Sequence, residues 1–317
     1  MRWSIPSNVW YAVALVMVVS LALTVYADVG EVVRVLGRYQ WWLLPLAMGL
    51  TLTNQALRFV KWEYLLRELD IDVPLLGSLG VFTSALVMIL TPGKLGDFWK
   101  SWLLRDDHGV PISRSSPVVA VERLTDLVGV ICLALLGVYT FGRSVVLTVG
   151  LLGTLFVGVA LLRHRPTCER LFDLLGRIPR VGDHVGSVRR TYENSYELLR
   201  ADVLTVTIGL SVVSWFCECL GLWLILSGFG VDPGILASAF VFALSSILGA
   251  LSLLPGGIGA TEGSMTLLLV ELDVSRSVAV GATLLTRAVT LWFSAGLALA
   301  ALPSYYVYRR QMPGGSD

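Results

Sequence analysis

Charged residues lie inside long apolar runs of this chain. One run contains Glu122, Arg123 and Asp126. Asp126 lies four positions after Glu122 and three after Arg123, so all three groups lie on one face of a helix. Glu218 and Arg287 lie at similar depth in two later runs. A charge in a transmembrane segment costs on the order of 2.5 to 3.5 kcal/mol by insertion scales, so such groups usually face a protein interior and mark function. We expect the arginines to contact phosphate, and the carboxylates to balance the arginines or to bind an amine.

Two segments rich in proline and glycine, TPGKLGDF at 91–98 and LPGGIGAT at 254–261, each end an apolar run. The proline ends one helix and the glycines turn the chain, so that a new helix is predicted to start near Asp97 or Thr261. A helix start presents free N–H groups and a partial positive charge, which suit a phosphate oxygen. The structural alternative is that the glycines only allow close helix packing. The predicted headgroup contacts in these segments are Gly93, Lys94, Gly96, Asp97, Gly256, Gly257, Gly259, Thr261 and Glu262.

Composition indicates an integral membrane protein. Of 317 residues, 55% are hydrophobic and 15% charged, and the mean hydropathy is +0.74. A net charge of +1 supplies no field to recruit nucleic acid, so no nucleic-acid partner is expected. The four cysteines show no CxxC spacing and the three histidines no HxxxH spacing, so we expect no metal site and no cofactor.

Eight apolar segments predict an all-α polytopic membrane protein. About 20 helical residues cross the hydrocarbon core, and six runs are long enough. Two shorter runs, 75–90 and 235–254, end in the Pro-Gly segments and precede half-apolar pieces, which is typical of broken re-entrant hairpins. The predicted crossings are 9–26, 41–59, 117–141, 145–162, 203–226 and 278–306.

The distribution of basic residues predicts the orientation. With six crossings and two hairpins, 17 of the 24 lysines and arginines lie inside, Lys61 and Lys100 among them. Four lie outside, and the remaining three fall within apolar helices. By the positive-inside rule, the chain is a single multi-pass domain over 1–317 in the cell membrane, with both termini cytoplasmic. The first run lacks a cleavage site and is read as a retained span. Residues 163–202 are predicted to form a cytoplasmic amphipathic connector.

The sequence contains an internal repeat. LDIDVPLLGSLGVF resembles FGVDPGILASAFVF, Pro92 pairs with Pro255, and Arg123 pairs with Arg287, at offsets of 160, 163 and 164. Repeat one covers about 41–141 and repeat two about 203–306. Three crossings separate the copies, so the second is predicted to be inverted. In transporters built from inverted repeats, the substrate site lies at the repeat interface near the midplane.

A structural role for the buried charges is the alternative. Arg123 with Asp126, or Arg287 with Glu218, would then form ion pairs that hold the repeats together. Asn54, Gln55 and Arg58 extend the predicted polar lining, although Arg58 is near enough to the end of its span to snorkel.

Several motifs together resemble a known family. LTPGKLGDFWKSWLL, ERLTDLVG and LLPGGIGATEGSMTLLL, followed by an arginine in the last span, resemble the membrane region of lysylphosphatidylglycerol synthase, a flippase-like family, over nearly the whole chain. The resemblance implies translocation of a lipid with a charged headgroup, such as an aminoacylated phospholipid, or a role with polyprenyl-phosphate sugars and glycolipids. Only seven residues follow Arg310, so we expect no aminoacyl-transferase domain and a separate lipid-modifying enzyme.

These observations favour a lipid transporter over a catalyst. The predicted function is movement of an anionic, aminoacylated or phosphate-linked headgroup between leaflets, with a phospholipid or a polyprenyl-phosphate lipid as partner. One alternative is a membrane-embedded transferase, or its membrane subunit, for which Asp70 and Asp72 form a short DxD motif. A third interpretation is a scaffold that recruits a soluble enzyme through residues 163–200.

Overall fold

The computed structural model describes residues 18–19, 22, 24–90, 96–138 and 196–310, with five isolated positions between the last two stretches. All regular structure in this part of the chain is helical, which confirms the predicted all-α membrane fold. The predicted crossing 145–162, most of the crossing 9–26 and most of the connector lie outside the described residues. The ten α-helices described are α1 Val29–Gly37, α2 Leu43–Glu68, α3 Leu75–Ala85, α4 Trp99–His108, α5 Ile112–Val138, α6 Ala201–Gly228, α7 Ile235–Leu251, α8 Ala260–Glu271, α9 Arg276–Arg287 and α10 Phe293–Arg310.

The same order of helices occurs twice. A long helix, two short helices separated by irregular backbone, and a second long helix occur as α2 to α5 and again as α6 to α10. The short helices α3 and α7 begin 160 residues apart, and α5 and α9 begin 164 apart. We call these two sets of helices the first and the second copy. The duplication, the inverted relation of the copies and the re-entrant character of the short helices remain predictions.

Two of the long helices have the length and composition of membrane spans, namely Ala201–Gly228 and the continuous stretch Arg276–Pro303. The helices α2 and α5 have 26 and 27 residues, long enough to cross, but they carry charges. Those charges are buried inside the protein. Helices with charges on their inner face can therefore still present an apolar face to lipid.

The predicted placement of two lysines was wrong. The crossing expected to end at residue 59 continues as α2 to Glu68, so Lys61, which we expected in an inside loop, is a buried helical residue with 0% exposure. Lys100, also expected inside, lies in the first turn of α4 and is 2% exposed. Because both lysines are buried, they add two positive charges to the interior of the protein.

The second Pro-Gly segment makes its turn with left-handed glycines. The helix α7 ends at Leu251, and Gly256, Gly257 and Gly259 all have positive φ. A Cβ on Gly257 would lie 2.7 Å from Thr261 Oγ1, so no larger residue fits there without a shift. The next helix starts at Ala260, as predicted. Of the first segment, residues 91–95 lie outside the described residues, and α4 starts at Trp99, close to the expected position.

The loop between α6 and α7 is also defined by specific contacts. Asp232 accepts hydrogen bonds from Trp223 Nε1 and from the Gly234 N–H, each at 2.9 Å. The bond from Trp223 lowers the pKa of Asp232 below its usual value, so this carboxylate is ionised at neutral pH.

Helix α6 lies at the centre of the described bundle. It packs against α2, α5, α7 and α9, and α5 also packs along α7. The approach of α5 to α7 is close because Gly137 meets the backbone of α7. A Cβ on Gly137 would lie 2.6 Å from Leu236 O and 2.9 Å from Phe240 Cα. Small residues at such crossings let membrane helices pack closely.

Replacing Gly137 by alanine should destabilise the protein by about 1 to 3 kcal/mol, because the added methyl group has to push two backbones apart. Thermal unfolding in detergent measures the effect. The matched control is Gly209→Ala in α6, where a Cβ meets nothing within 4 Å. Equal melting temperatures for the two variants would contradict the close α5–α7 contact.

Candidate functional site

A cavity of about 140 Å³ lies between helices of the two copies. Its walls come from α2 of the first copy and from α6, α7, the Pro-Gly turn, α8 and the last long helix of the second. Polar side chains and two arginines face a largely apolar wall, which is typical of a site for a small charged group. The lining residues are Asn54, Gln55, Arg58, Trp215, Glu218, Phe242, Ser246, Gly249, Ala250, Leu254, Gly256, Gly257, Thr261, Arg287, Thr290 and Leu291.

Arg287 connects the cavity to the Pro-Gly turn. Its Nε donates to Glu262 Oε1 at 2.7 Å, and its NH2 donates to the carbonyl oxygen of Gly256, also at 2.7 Å. Glu262 Oε2 accepts from the backbone N–H of Gly259 at 2.6 Å, which caps the start of α8. One guanidinium therefore holds both the irregular backbone and the helix that follows it.

Arg58 connects the cavity to a cluster of buried charges. Its NH2 lies 3.5 Å from Glu122 Oε1 and 3.4 Å from Asp126 Oδ2. The Nε atom of Arg58 is buried and has no hydrogen-bond partner among the described residues, and the same holds for Gln55 Oε1 in the cavity lining. Buried polar atoms are nearly always paired, so both atoms have capacity for a ligand or water. Arg58 does not snorkel to the membrane surface, since it is only 9% exposed.

Two lysines complete the charge cluster. Lys61 Nζ lies 2.5 Å from Asp126 Oδ1 and donates to Ser211 Oγ at 2.8 Å. Lys100 Nζ lies 2.7 Å from Glu122 Oε2. On α5, Asp126 thus pairs with Lys61 from α2, and Glu122 pairs with Lys100 from α4.

Aromatic rings surround the Lys100 ammonium. Nζ lies 4.8 Å from the ring centroid of Trp62 and 4.7 Å from that of Phe82. Both distances allow cation–π attraction, which is stronger when the cation is removed from water. The rings and Glu122 together compensate the loss of hydration that burial of this lysine entails.

Arg123 belongs to the same charge cluster and does not line the cavity. Its NH2 lies 2.8 Å from Glu122 Oε1 and 3.4 Å from Asp126 Oδ2, and its Nε lies 3.3 Å from Asp97 Oδ2. The predicted Arg123–Asp126 ion pair is therefore present. With Asp97, three carboxylates face four cations, namely Arg58, Lys61, Lys100 and Arg123, which leaves one formal positive charge in the cluster.

Glu218 has a different environment. It lines the cavity, is 5% exposed, and accepts a hydrogen bond from Thr51 Oγ1 at 3.1 Å. The suggested ion pair of Arg287 with Glu218 is wrong, because Arg287 is bonded to Glu262. Among the described residues, no lysine or arginine nitrogen lies within 4.0 Å of the Glu218 oxygens.

A π-helical segment, Ala288–Trp292, interrupts the last long helix next to the cavity. Thr290 and Leu291 from this segment line the cavity immediately after Arg287. Single π turns inside α-helices occur often at functional sites, because they shift side chains around the helix axis. No pattern in the sequence indicated this turn.

The structure brings the predicted site residues into two adjoining groups. Arg287, Glu218, Gly256, Gly257 and Thr261 line the cavity, with Glu262 and Gly259 bonded behind them. Glu122, Arg123, Asp126 and Asp97 form the charge cluster. Gly96 lies next to Asp97 and is partly buried, whereas Gly93 and Lys94 lie outside the described residues.

Sequence reasoning missed Lys61 and Lys100 and undervalued Arg58. A signal for two of them was present: Thr51, Asn54, Arg58 and Lys61 follow one another at spacings of three and four, so they form a polar stripe along one face of α2. Lys100 has no such signal, because it follows the irregular segment and its neighbours in sequence include exposed residues.

Similarity to known proteins extends over nearly the whole chain. The family model described as the lysylphosphatidylglycerol synthase TM region matches residues 9–298. A UPF0104 membrane protein of Methanothermobacter thermautotrophicus is 24% identical over 91% of this chain and 91% of its own length. A second UPF0104 membrane protein, from Methanocaldococcus jannaschii, is 26% identical over 70% of this chain and 94% of its own. Glycosyltransferase AglD of Haloferax volcanii is 27% identical over 87% of this chain but only 51% of its own length.

The variant Lys61→Met should lower the stability of the protein by about 1 to 3 kcal/mol, because it removes the ammonium partner of a buried carboxylate oxygen. Asp126 Oδ1 then keeps only the Ser211 hydroxyl as a partner, while Arg58 and Arg123 still face Oδ2. Thermal unfolding in detergent provides the measurement. Arg67→Met, an exposed position on the same helix, is the control and should change stability by less than about 0.5 kcal/mol. The double variant Lys61→Met/Asp126→Asn should recover part of the loss. A double variant less stable than Lys61→Met would contradict the pairing.

Proposed function

Because the chain belongs to the family of the lysylphosphatidylglycerol synthase transmembrane region, we propose that it moves phosphate-bearing lipid headgroups between the leaflets of the cytoplasmic membrane. The observation that carries the proposal is the cavity between the two copies, lined by Arg58 from one and Arg287 from the other. Guanidinium groups bind phosphate oxygens in bidentate geometry, and a site between repeats is where transporters of this architecture bind substrate.

The size of the cavity fits a headgroup and excludes a whole lipid. A volume of about 140 Å³ accommodates a phosphate with a small substituent. In this proposal the acyl chains stay in the surrounding lipid while the headgroup crosses. Only the charged part then needs a polar path, which is the part that hydrocarbon excludes most strongly.

Arg287 provides a link between substrate binding and movement of the Pro-Gly turn. A phosphate that bonds to this guanidinium competes with Gly256 O and Glu262, its present partners. Loss of those bonds frees the turn and the start of α8, which form part of the cavity wall. Binding of the headgroup would therefore favour a second state of the turn, in which Arg287 contacts phosphate instead of Gly256 and Glu262. The path for the headgroup is open in that state.

Orientation is part of the proposal. Two of the 17 basic residues assigned to the inside, Lys61 and Lys100, are buried in the protein. Fifteen against four still favours both termini in the cytoplasm. The two pairs of short helices then enter the membrane from opposite faces.

The variant Arg287→Gln should slow lipid exchange roughly ten- to a hundredfold, because a hydrogen bond to a charged group contributes about 1.5 to 3 kcal/mol. Purified protein in liposomes with headgroup-labelled phosphatidylglycerol is treated with an external reductant, and bleaching beyond the outer-leaflet half reports exchange. Arg276→Gln, an exposed arginine on the same helix, is the control and should behave like the wild-type protein. Gel filtration verifies folding.

Replacement of Arg123 tests the contribution of the charge cluster. The repeat pairs Arg123 with Arg287, so Arg123→Ala is also expected to slow exchange in the same assay. A wild-type rate in folded Arg287→Ala protein would show that Arg287 does not contact the headgroup. A wild-type rate in folded Arg123→Ala protein would show that the charge cluster does not contribute to exchange. Bleaching that stops at half for every lipid in the wild-type protein would count against translocation itself.

A transferase subunit is the second candidate function. The match to half the length of Glycosyltransferase AglD favours a role beside glycolipid synthesis. Asp70 and Asp72 are exposed, and the neighbouring Leu69 and Asp70 carbonyls accept hydrogen bonds from Arg114. Membranes supplied with a polyprenyl phosphate and a nucleotide sugar should form product only under this hypothesis, and Asp70→Asn/Asp72→Asn should then abolish it. Product formation unchanged in the double variant would exclude these aspartates from catalysis.

A further inference from the structure

Glu218 differs from the other buried carboxylates of the described residues in having no cation. Glu122, Asp126 and Glu262 each form at least one ion pair. Glu218 is equally buried, yet the hydrogen bond that it accepts within the described part of the chain comes from the neutral hydroxyl of Thr51. An ionised carboxylate without a cation in an apolar bundle is strongly disfavoured, and such groups take up a proton instead.

The charged groups that face Glu218 are committed to other partners. From α2, Arg58 lies in the same cavity and forms ion pairs with Glu122 and Asp126 on α5, so it acts on Glu218 only at longer range. From α9, Arg287 bonds to Glu262 on α8. Helix α7 contributes only neutral residues to the cavity lining, and on its own helix Glu218 is flanked by Cys217 and Cys219, which are thiols without a partner cysteine among the described residues.

Lipid and proton binding in this cavity have to influence each other. A phosphate held by Arg58 and Arg287 brings negative charge into the small space that also contains Glu218. Repulsion between the two anions favours the protonated carboxyl when the headgroup is bound. By linkage, a proton on Glu218 strengthens headgroup binding to the same extent.

We propose that Glu218 binds a proton together with the anionic headgroup and that lipid transport is coupled to the proton gradient. The carboxylate takes a proton from water on the acidic side and releases it on the alkaline side, so the headgroup and the proton cross together without net charge. This inference rests on the proposed lipid transport. It predicts that lipid accumulates in the leaflet that faces the more alkaline solution.

The test uses the wild-type protein in liposomes with headgroup-labelled phosphatidylglycerol. External pH is constant and the lumen is buffered about one unit higher, equal or about one unit lower, with potassium and valinomycin on both sides to hold the membrane potential at zero. One coupled proton per lipid permits up to about a tenfold leaflet ratio, since one pH unit is a tenfold proton ratio. The label should accumulate inside with an alkaline lumen and be depleted inside with an acidic one. A protonophore should abolish both effects.

Variants assign the effect to Glu218. Glu218→Gln should lose the pH-dependent asymmetry, whereas Glu218→Asp, which keeps a titratable carboxyl, should retain it. Infrared difference spectra on the same proteins do not require transport: a protonated carboxyl band at neutral pH should disappear in Glu218→Gln. Glu262→Gln, which replaces an ion-paired carboxylate, should leave that band in place.

The outcomes separate the two proposals. Bleaching limited to the outer leaflet under all conditions would refute lipid transport itself. Exchange that reaches equal leaflet distribution at every lumen pH would leave transport standing and refute proton coupling. Asymmetry that persists in Glu218→Gln, or a spectrum without a Glu218 carboxyl band, would remove Glu218 as the proton site. If Glu218→Gln lost only the exchange of amine-bearing lipids, and lumen pH had no effect, Glu218 would be a headgroup contact instead.

Discussion

A charge inside a membrane protein must be buried together with its partner, and much of this structure follows from that constraint. Glu122 and Asp126 on α5 have no water to solvate them, so cations from α2 and α4 reach across to them. Ser211 on α6 joins the same network through Lys61. Four helices are thereby held in one arrangement. Because each ion would be very unfavourable alone, helices that carry these charges have few alternative ways to pack.

Irregular backbone imposes a second requirement of the same kind. The Pro-Gly turn leaves carbonyl and N–H groups without helical partners, and hydrocarbon offers none. Arg287 and Glu262 satisfy two of them, at Gly256 O and Gly259 N. The groups that stabilise the turn are thus also cavity walls or their direct partners. The same guanidinium stabilises the turn and lines the cavity. In the proposed function, a headgroup bound there would therefore act on the backbone of the turn.

The sequence was sufficient for the class of fold. Its apolar runs identified the helical membrane fold, and its Pro-Gly segments and repeated arginine selected Thr261 and Arg287, which the structure places in the cavity lining. It was not sufficient for partners across helices. Glu218 and Glu262 are both carboxylates at reasonable depth, and only the packing of α8 against α9 decides that Arg287 pairs with Glu262. Lys61 was misplaced because the apolar run was ended before it, whereas the helix continues to Glu68. Lys100 was misplaced because it follows the irregular Pro-Gly segment, where hydropathy gives no signal of burial.

The two copies share one ion pair, between an arginine and a carboxylate near the start of the second short helix, and differ in their other buried charges. Arg123 lies beside Asp97 at the start of α4, and Arg287 beside Glu262 in the first turn of α8, with offsets of 164 and 165 residues between corresponding members. In each copy an arginine of the last long helix holds the beginning of the second short helix. The first copy adds Lys61, Lys100 and two further carboxylates, which fill its interior with paired charge. The second adds Glu218, which has no lysine or arginine nitrogen within 4.0 Å among the described residues, and it contributes most of the cavity lining. The repeated order of helices therefore places paired charge on one side and a polar cavity on the other. The two arginines consequently have different surroundings, since Arg123 lies in the charge cluster and Arg287 lines the cavity.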